Sequence, residues 1–267
     1  MPARPQDAAV FHALHRDFLI LPNAWDVASA HIVASAGAKA IATSSAAVAW
    51  SLGRADGHKL PFVDLVRVVD AIARVVALPI TADAEGGYAD DPSAVGENIA
   101  ILIGAGAVGV NLEDGKGSHE AHLRKIEAAR AAAKREGVDL YINARTDVFL
   151  KQLVPAENAR AETLRRAAAI RDAGASGLFV PAVAKPDDIA AIASGVNLPL
   201  NVIARPGLPA AAELKALGVS ASSAATGVFN AAMAAAQDVT AAFLASGDSD
   251  ALWARRGTPP DYNALFA

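Results

Sequence analysis

The chain contains no cysteine, which excludes disulfides, zinc–thiolate sites and cysteine nucleophiles. Aromatic residues are scarce, at 5% of 267 residues, and abundant alanine points instead to closely packed helices. No run of Lys or Arg exceeds a pair and the formal net charge is −4, so the basic stripe of a nucleic-acid groove is missing. No GxSxG elbow occurs, and no GxGxxG follows the first strand-like segment. The N-terminal stretch MPARPQDAAVFHALHRDF lacks an apolar core of signal-peptide length. The nearest approach to a membrane span, IAILIGAGAVGV (99–110), is short and broken by glycine. These absences lead us to expect a cytoplasmic protein with a small-molecule ligand and neither nucleic acid nor membrane as partner.

What is present is a repeat. Amphipathic stretches end in Ala-Gly-Ala or Leu-Gly-Val and pass at once into an apolar run: SAGAKAIATSS (35–45), GAGAVGVNLED (104–114), DAGASGLFVPAV (172–183) and ALGVSASSAA (216–225). Glycine suits the left-handed residue that closes a helix before a short connection. Helix then strand, repeated, means a parallel sheet. About eight strands are expected, the number of a (β/α)8 TIM barrel: 18–25, 39–45, 78–85, 109–114, 140–147, 177–183, 198–204 and 219–225. Helical patterns such as 61–76 and 121–137 lie between them. One barrel domain over 1–267 leaves no linker, and the alternative is an open doubly wound sheet.

Most of these strands begin apolar and end polar, and in a barrel those ends meet on one rim, where active sites lie. Asp83 and Glu85, in ITADAEGGYADD (80–91), share one strand face, and Glu113 ends the next strand with Asn111 on the same side. Like charges so close require a compensating positive charge. An all-oxygen set of this kind suits a hard divalent cation, and magnesium takes only one or two direct carboxylates and keeps several waters. Helix capping or ion pairing is the alternative for any single one of these acids. Arg145 ends the fifth strand in line with Asn143 and Asp147, placed either to clamp a carboxylate or phosphate or to pair with Asp147 or Glu113. Ser44 and Ser45 make a small-residue turn able to hold an anion, and Asp56 lies in the loop that follows. His119 and His122 are three apart, a spacing that can chelate a metal or simply mark the solvated start of a helix.

The segments PNAWD (22–26), TSSAAVAWSLGRADG (43–57), DAEGGY (83–88), GVNLEDG (109–115) and NARTD (143–147), in that order, resemble the isocitrate lyase/phosphoenolpyruvate mutase superfamily from about residue 18 to about residue 205. The resemblance implies a barrel holding Mg2+, assembled as dimers or tetramers whose subunits exchange the last helix. It implies Asp83 as principal metal ligand, with Glu85 and Glu113 acting through water. It implies Ser44, Ser45 and Ala46 as the turn that holds the substrate carboxylate. Trp25 and Asn201 join that substrate-binding set, Asp56 becomes an acid that closes over the substrate, and Arg145 the carboxylate-binding arginine. Residues 240–267, rich in proline and aromatics, would be the exchanged arm. In such enzymes the metal stabilises an enolate as a C–C or P–C bond of a 2-oxo acid breaks.

The chain departs from the family at the gate. Isocitrate-type lyases carry a cysteine there, and the mutases a Lys-x-x-Asn-Ser type loop. This chain reads GKGSHEAH (115–122), leaving Lys116, Ser118 or His119 as proton donors. The reading reached is a lyase acting on a small 2-oxo or 2-hydroxy dicarboxylate. The alternatives are a phosphonopyruvate hydrolase or mutase and a non-catalytic dicarboxylate-binding barrel.

Overall fold

Each apolar run of the sequence forms a short strand, and each amphipathic stretch between them a helix. The computed structural model describes residues 3–253 and 260–266. Its strands are β1 Leu19–Leu21, β2 Asn23–Ala24, β3 Ile41–Thr43, β4 Ile80–Asp83, β5 Ala107–Glu113, β6 Tyr141–Arg145, β7 Gly177–Phe179, β8 Leu200–Ile203 and β9 Ala221–Ser223. All pair in parallel in the order β1-β9-β8-β7-β6-β5-β4-β3-β2. The expected first strand is divided because Pro22 has no N–H to give to a ladder. Its halves act as one stave: β1 pairs with β9 and β2 with β3, so the circuit closes through Pro22. The result is a TIM barrel.

The helices are α1 Pro5–Leu14, α2 Val27–Ser35, α3 Ser45–Ser51, α4 Phe62–Val75, α5 Pro92–Gly104, α6 His119–Arg135, α7 Ala159–Asp172, α8 Pro186–Gly195, α9 Ala211–Ala216, α10 Gly227–Ser246, α11 Asp250–Trp253 and α12 Tyr262–Leu265. In α4 the stripe Leu65, Val69 and Ile72 is buried while Asp64 and Arg67 pair on the outside, the pattern of a helix laid on a sheet. α6 starts two residues before the expected 121 because Ser118 caps it through the amide of Ala121. That start turns His119 and His122 inward, at 7% and 2% exposure, so the expectation of a solvated helix start is corrected.

The N-terminal mouth of the barrel is stoppered by α1. Phe11 and His15 pack on Tyr141 of β6, the imidazole stacked at 4.0 Å between ring centres. Gly109 makes room for this plug, since a β-carbon there would lie 2.8 Å from the Phe11 ring. The C-terminal mouth carries the polar strand ends.

α10 is unlike the other long helices: none of its residues is buried. By length and composition it is apolar enough to cross a membrane, which corrects the expectation that no segment reaches that length. It begins at Gly227, before the composition change at about 240 that marked the expected arm. Of that arm, residues 254–259 and 267 lie outside the described residues.

Candidate active site

Strand pairing assembles the site. One row of registered neighbours runs Asp83, Asn111, Asn143, Gly177, and a second, nearer the rim, runs Glu113, Arg145, Phe179, Asn201. Parallel partners point to the same side of the sheet, so each row presents its polar groups together. Asn143 donates to the Asn111 amide oxygen at 2.8 Å.

Asp83 is almost buried, at 9% exposure. Its carboxylate accepts the Ser45 amide at 3.0 Å, and its own amide donates to Thr43 Oγ1 at 2.9 Å. Ser44 caps α3 and Ser45 opens it, so the serine turn expected to hold an anion gives its first free amide to Asp83.

Glu85 stands in the left-handed region (φ +47°) just beyond β4 and is 3% exposed. Its Oε2 accepts the backbone N–H of His58 and lies 3.0 Å from His58 Nδ1. Tyr88 donates to Oε1 at 3.3 Å. Burial pushes the Glu85 carboxyl above its usual range, His58 opposes this, and the charges of Asp83 and Asp56 add to it.

Glu113 is likewise raised, to about 7, first by burial and then by Asp83 and Asp147, with Arg145 and Lys151 pulling the other way. Its Oε2 is 2.7 Å from Arg145 Nη1 and its Oε1 is 3.6 Å from Lys151 Nζ.

Of the two roles the sequence left open for Arg145, the structure shows the pairing: it forms an ion pair with Glu113 and grips Asp147 side-on through Nε (2.7 Å) and Nη2 (3.1 Å). Burial opposes its charge, but Glu113 and Asp147 outweigh that and raise its pKa above the ordinary arginine value. Two of its five guanidinium N–H groups are hydrogen-bonded to Asp147, and Nη1 faces Glu113 as an ion pair. Asp147 is fully buried and also takes Lys151 Nζ at 2.7 Å. Behind it, buried Asp114 accepts from Thr146 Oγ1 (2.7 Å), the Asp147 amide (2.8 Å) and Arg166 Nη1 (2.7 Å), and Arg166 in turn pairs with Glu162.

The remaining expected residues are spread around this centre. Trp25 follows β2 and packs edge-on to Phe229 of α10 at 5.0 Å. Ala46 lies in the first turn of α3, and Asn201 is 3% exposed inside the barrel. Asp56 is on the exposed loop above Glu85 and within reach of its charge. Lys116 is exposed on the loop after β5. His119 is held below the usual imidazole pKa by burial and by Arg166 and Arg165, and no acid of the Asp83 group is among its charged neighbours.

Among the described residues, no three His, Asp or Glu side chains converge closely enough to bind a metal directly. The donors fit a hydrated cation better. Asp83 is within charge range of both Glu85 and Glu113, and the buried amide oxygens of Asn23, Asn143 and Asn201 have no partner in the protein. Water on a magnesium ion supplies O–H donors for such acceptors.

Sequence reading missed three groups. His58 had no visible partner until the chain folded 27 positions onto Glu85. Lys151 follows Asp147 by four residues, the spacing of a helical turn, and the Lys151 amide does donate to the Asp147 carbonyl at 2.8 Å. The Asp114–Arg166 pair joins positions 52 apart and left no local signal.

The phosphoenolpyruvate phosphomutase family model matches residues 11–244. The chain belongs to this family. A putative phosphonomutase from Burkholderia cenocepacia J2315 is 42% identical, with a TM-score of 0.84 over 88% of this chain and 99% of that one. An uncharacterised protein of Mycobacterium tuberculosis is 34% identical over 213 residues, 79% of each chain. A probable 2-methylisocitrate lyase of Corynebacterium glutamicum is 27% identical over 67% of this chain and 60% of its own length. Likeness in fold alone extends to a phosphonopyruvate hydrolase crystallised with oxalate and Mg2+, at 23% identity and a TM-score of 0.85 over 97% of this chain and 94% of that one. The relatives thus include a putative phosphonomutase and a probable 2-methylisocitrate lyase.

Proposed function

We propose that this family member is a magnesium-dependent lyase that cleaves a carbon–carbon bond of a small 2-oxo or 2-hydroxy dicarboxylate. The observation that carries the reading is the row in which Glu113 pairs with Arg145 at the rim, one strand from Asp83. Asp83 is the direct metal ligand, and Glu85 and Glu113 act through water. When bound, the ion supplies the positive charge that draws electrons toward the substrate's oxo oxygen as the bond breaks. The Arg145 N–H groups not hydrogen-bonded to Asp147 orient a substrate carboxylate. Ser44, Ser45, Ala46, Trp25 and Asn201 wall the pocket, and Asp56 closes over it. Lys116, exposed on the loop after Glu113, is better placed as proton donor than His119, which is buried and whose pKa is held down by that burial and then by Arg166 and Arg165. The phosphonopyruvate hydrolase that holds oxalate and Mg2+ on the same fold supports the choice of ion.

The test is a thermal melt with oxalate, with and without Mg2+, with pyruvate release from oxaloacetate and 2-methylmalate-like diacids followed in parallel. Magnesium-dependent stabilisation of roughly 3 kcal/mol at a hundredfold excess of ligand over Kd is expected, and Asp83→Ala abolishes it together with turnover. Turnover that survives Asp83→Ala would refute the reading. The 42% identity to a putative phosphonomutase favours a second reading, cleavage of a P–C bond. Phosphonopyruvate turnover without turnover of any carbon diacid would select it.

The same chain is proposed to form a homo-oligomer by exchange of α10. Ile20 lies on the outer face of β1 yet is 65% exposed, where a barrel strand is normally covered by a helix. Beside it runs a groove of about 840 Å³ lined by Val10, Leu14, Phe18, Ile32 and Val33. An apolar helix without buried residues and an uncovered apolar groove are complementary in a pair of identical subunits.

A further inference from the structure

Lys151 has a geometry that a purely structural ion pair does not require. Asp147, its shortest partner at 2.7 Å, is already gripped at both oxygens by Arg145. Lys151 is therefore a second cation on a carboxylate that is already paired. The Lys151 side chain is 29% exposed against 15% for Arg145, so its ammonium is the more open of the two. Its other neighbour, Glu113, is 3.6 Å away, beyond good hydrogen-bond length, so at least one of its three N–H groups is unengaged by short bonds. The turn that bonds the Lys151 amide to the Asp147 carbonyl fixes the base of the side chain. Gly115, at the start of the loop after β5, passes over the ammonium, and even a β-carbon there would come only to 3.4 Å of Nζ.

Around this point Asp83, Glu113 and Asp147 face Arg145 and Lys151, and Glu85 stands on the far side of Asp83, a formal excess of two negative charges over the six groups. A divalent cation cancels that excess. Glu113 turned toward such an ion would leave both Arg145 Nη1 and Lys151 Nζ without their shared acceptor, ready for another anion.

We propose that Lys151, beside Arg145, binds a second anionic group of the substrate distal to the metal-chelating end, and so makes the site selective for dianionic over monoanionic 2-oxo or 2-hydroxy acids. This rests on the magnesium-dependent reading above. The distal group is a carboxylate or a phosphonate, since an ammonium recognises the charge of either.

The experiment uses calorimetry with the full chain and Mg2+. Malate and lactate share a 2-hydroxy acid head and differ by one distal carboxylate, and 3-phosphonolactate carries a phosphonate in its place. The wild type is expected to bind malate or 3-phosphonolactate at least about tenfold more tightly than lactate, as one charge-assisted hydrogen bond allows. Whichever of the two dianions binds more tightly identifies the distal group. In Lys151→Met the gap should shrink to roughly twofold, while Lys151→Arg should keep most of it, because only the charge matters. Where the methionine variant does not fold, Lys151→Gln, which retains a donor toward Asp147, takes its place. A gap that persists in the neutral variant, or equal affinities in the wild type, would overturn the proposal. Failure of oxalate to bind in the presence of Mg2+ would instead overturn the metal-dependent reading, and this inference with it.

Discussion

His58 and Glu85 hold each other in left-handed backbone conformations, at φ +63° and +47°, through the His58 amide and a 3.0 Å contact between Nδ1 and Oε2. The Gly86 amide donates to His58 Nε2 at 3.1 Å, so Nε2 is the acceptor and Nδ1 carries the hydrogen that faces Glu85. The imidazole therefore ties the loop bearing Asp56 to a residue of the acidic cluster. Non-glycine residues kept at positive φ cost free energy that neighbouring contacts must offset.

His58→Ala removes the Nδ1–H donor and the acceptor for Gly86. Outer-shell groups of this kind are worth roughly ten- to a hundredfold in metal affinity. A fall of that size in Mg2+ affinity, read by calorimetry without substrate, is expected. An unchanged affinity would mean that His58 supports only the loop.

Glu113 gives a pH dependence. Its carboxyl is raised from 4.5 to about 7, so between those values the folded protein keeps a proton that the unfolded chain has released. Its contribution to stability is full below 4.5 and is lost as the pH rises through about 7. Binding of a cation needs the ionised form and follows the opposite trend. The magnesium-induced rise in Tm should therefore grow between about pH 6 and about pH 8, and in Glu113→Gln it should be smaller and flat across that range.

Asp114 is the buried hub behind Arg145, its carboxylate meeting Thr146, the Asp147 amide and Arg166. Asp114→Ala leaves Arg166 with Glu162 alone, takes the acceptor from Thr146 Oγ1 and the Asp147 amide, and should cost about 3–5 kcal/mol in denaturant unfolding, the scale of breaking a buried pair. Replacement of an exposed residue such as Arg67 should cost under about 1 kcal/mol. Comparable losses would refute the hub.

His15, stacked on Tyr141 and bonded to the Phe11 carbonyl, is lowered by burial from 6.5 to about 4. The unfolded chain binds the proton first, so stability is full above 6.5 and lost as the pH falls toward 4, by on the order of 2–3 kcal/mol. His15→Gln should flatten that acid limb of the stability curve.

Ile20→Glu places a charge on an exposed face and leaves a monomer nearly unaffected. In an oligomer built on that face it buries an unpaired carboxylate. Light scattering should then show dissociation of the variant at concentrations where the wild type stays assembled. Identical masses would separate α10 exchange from this groove.

Local patterns were enough for the repeating unit, the barrel and the strand-end positions of Asp83, Glu113 and Arg145, because periodicity and helix-closing glycines act over a few residues; Asn201, expected at a strand end, is the second residue of β8. Periodicity also identified α4, whose buried stripe recurs at helical spacing. It misjudged the start of α6, where the Ser118 cap turned two histidines into the interior, and it ran the first strand through Pro22. Which charges meet was settled by the folded chain. Arg145 settled on Glu113 and Asp147, His58 reached Glu85, Lys151 came beside Glu113, and Arg166 closed on Asp114 across 52 positions. Such pairings depend on strand register and loop path. A long-range contact leaves no periodic trace in a sequence, because its energy is set by desolvation and distance after the chain has folded.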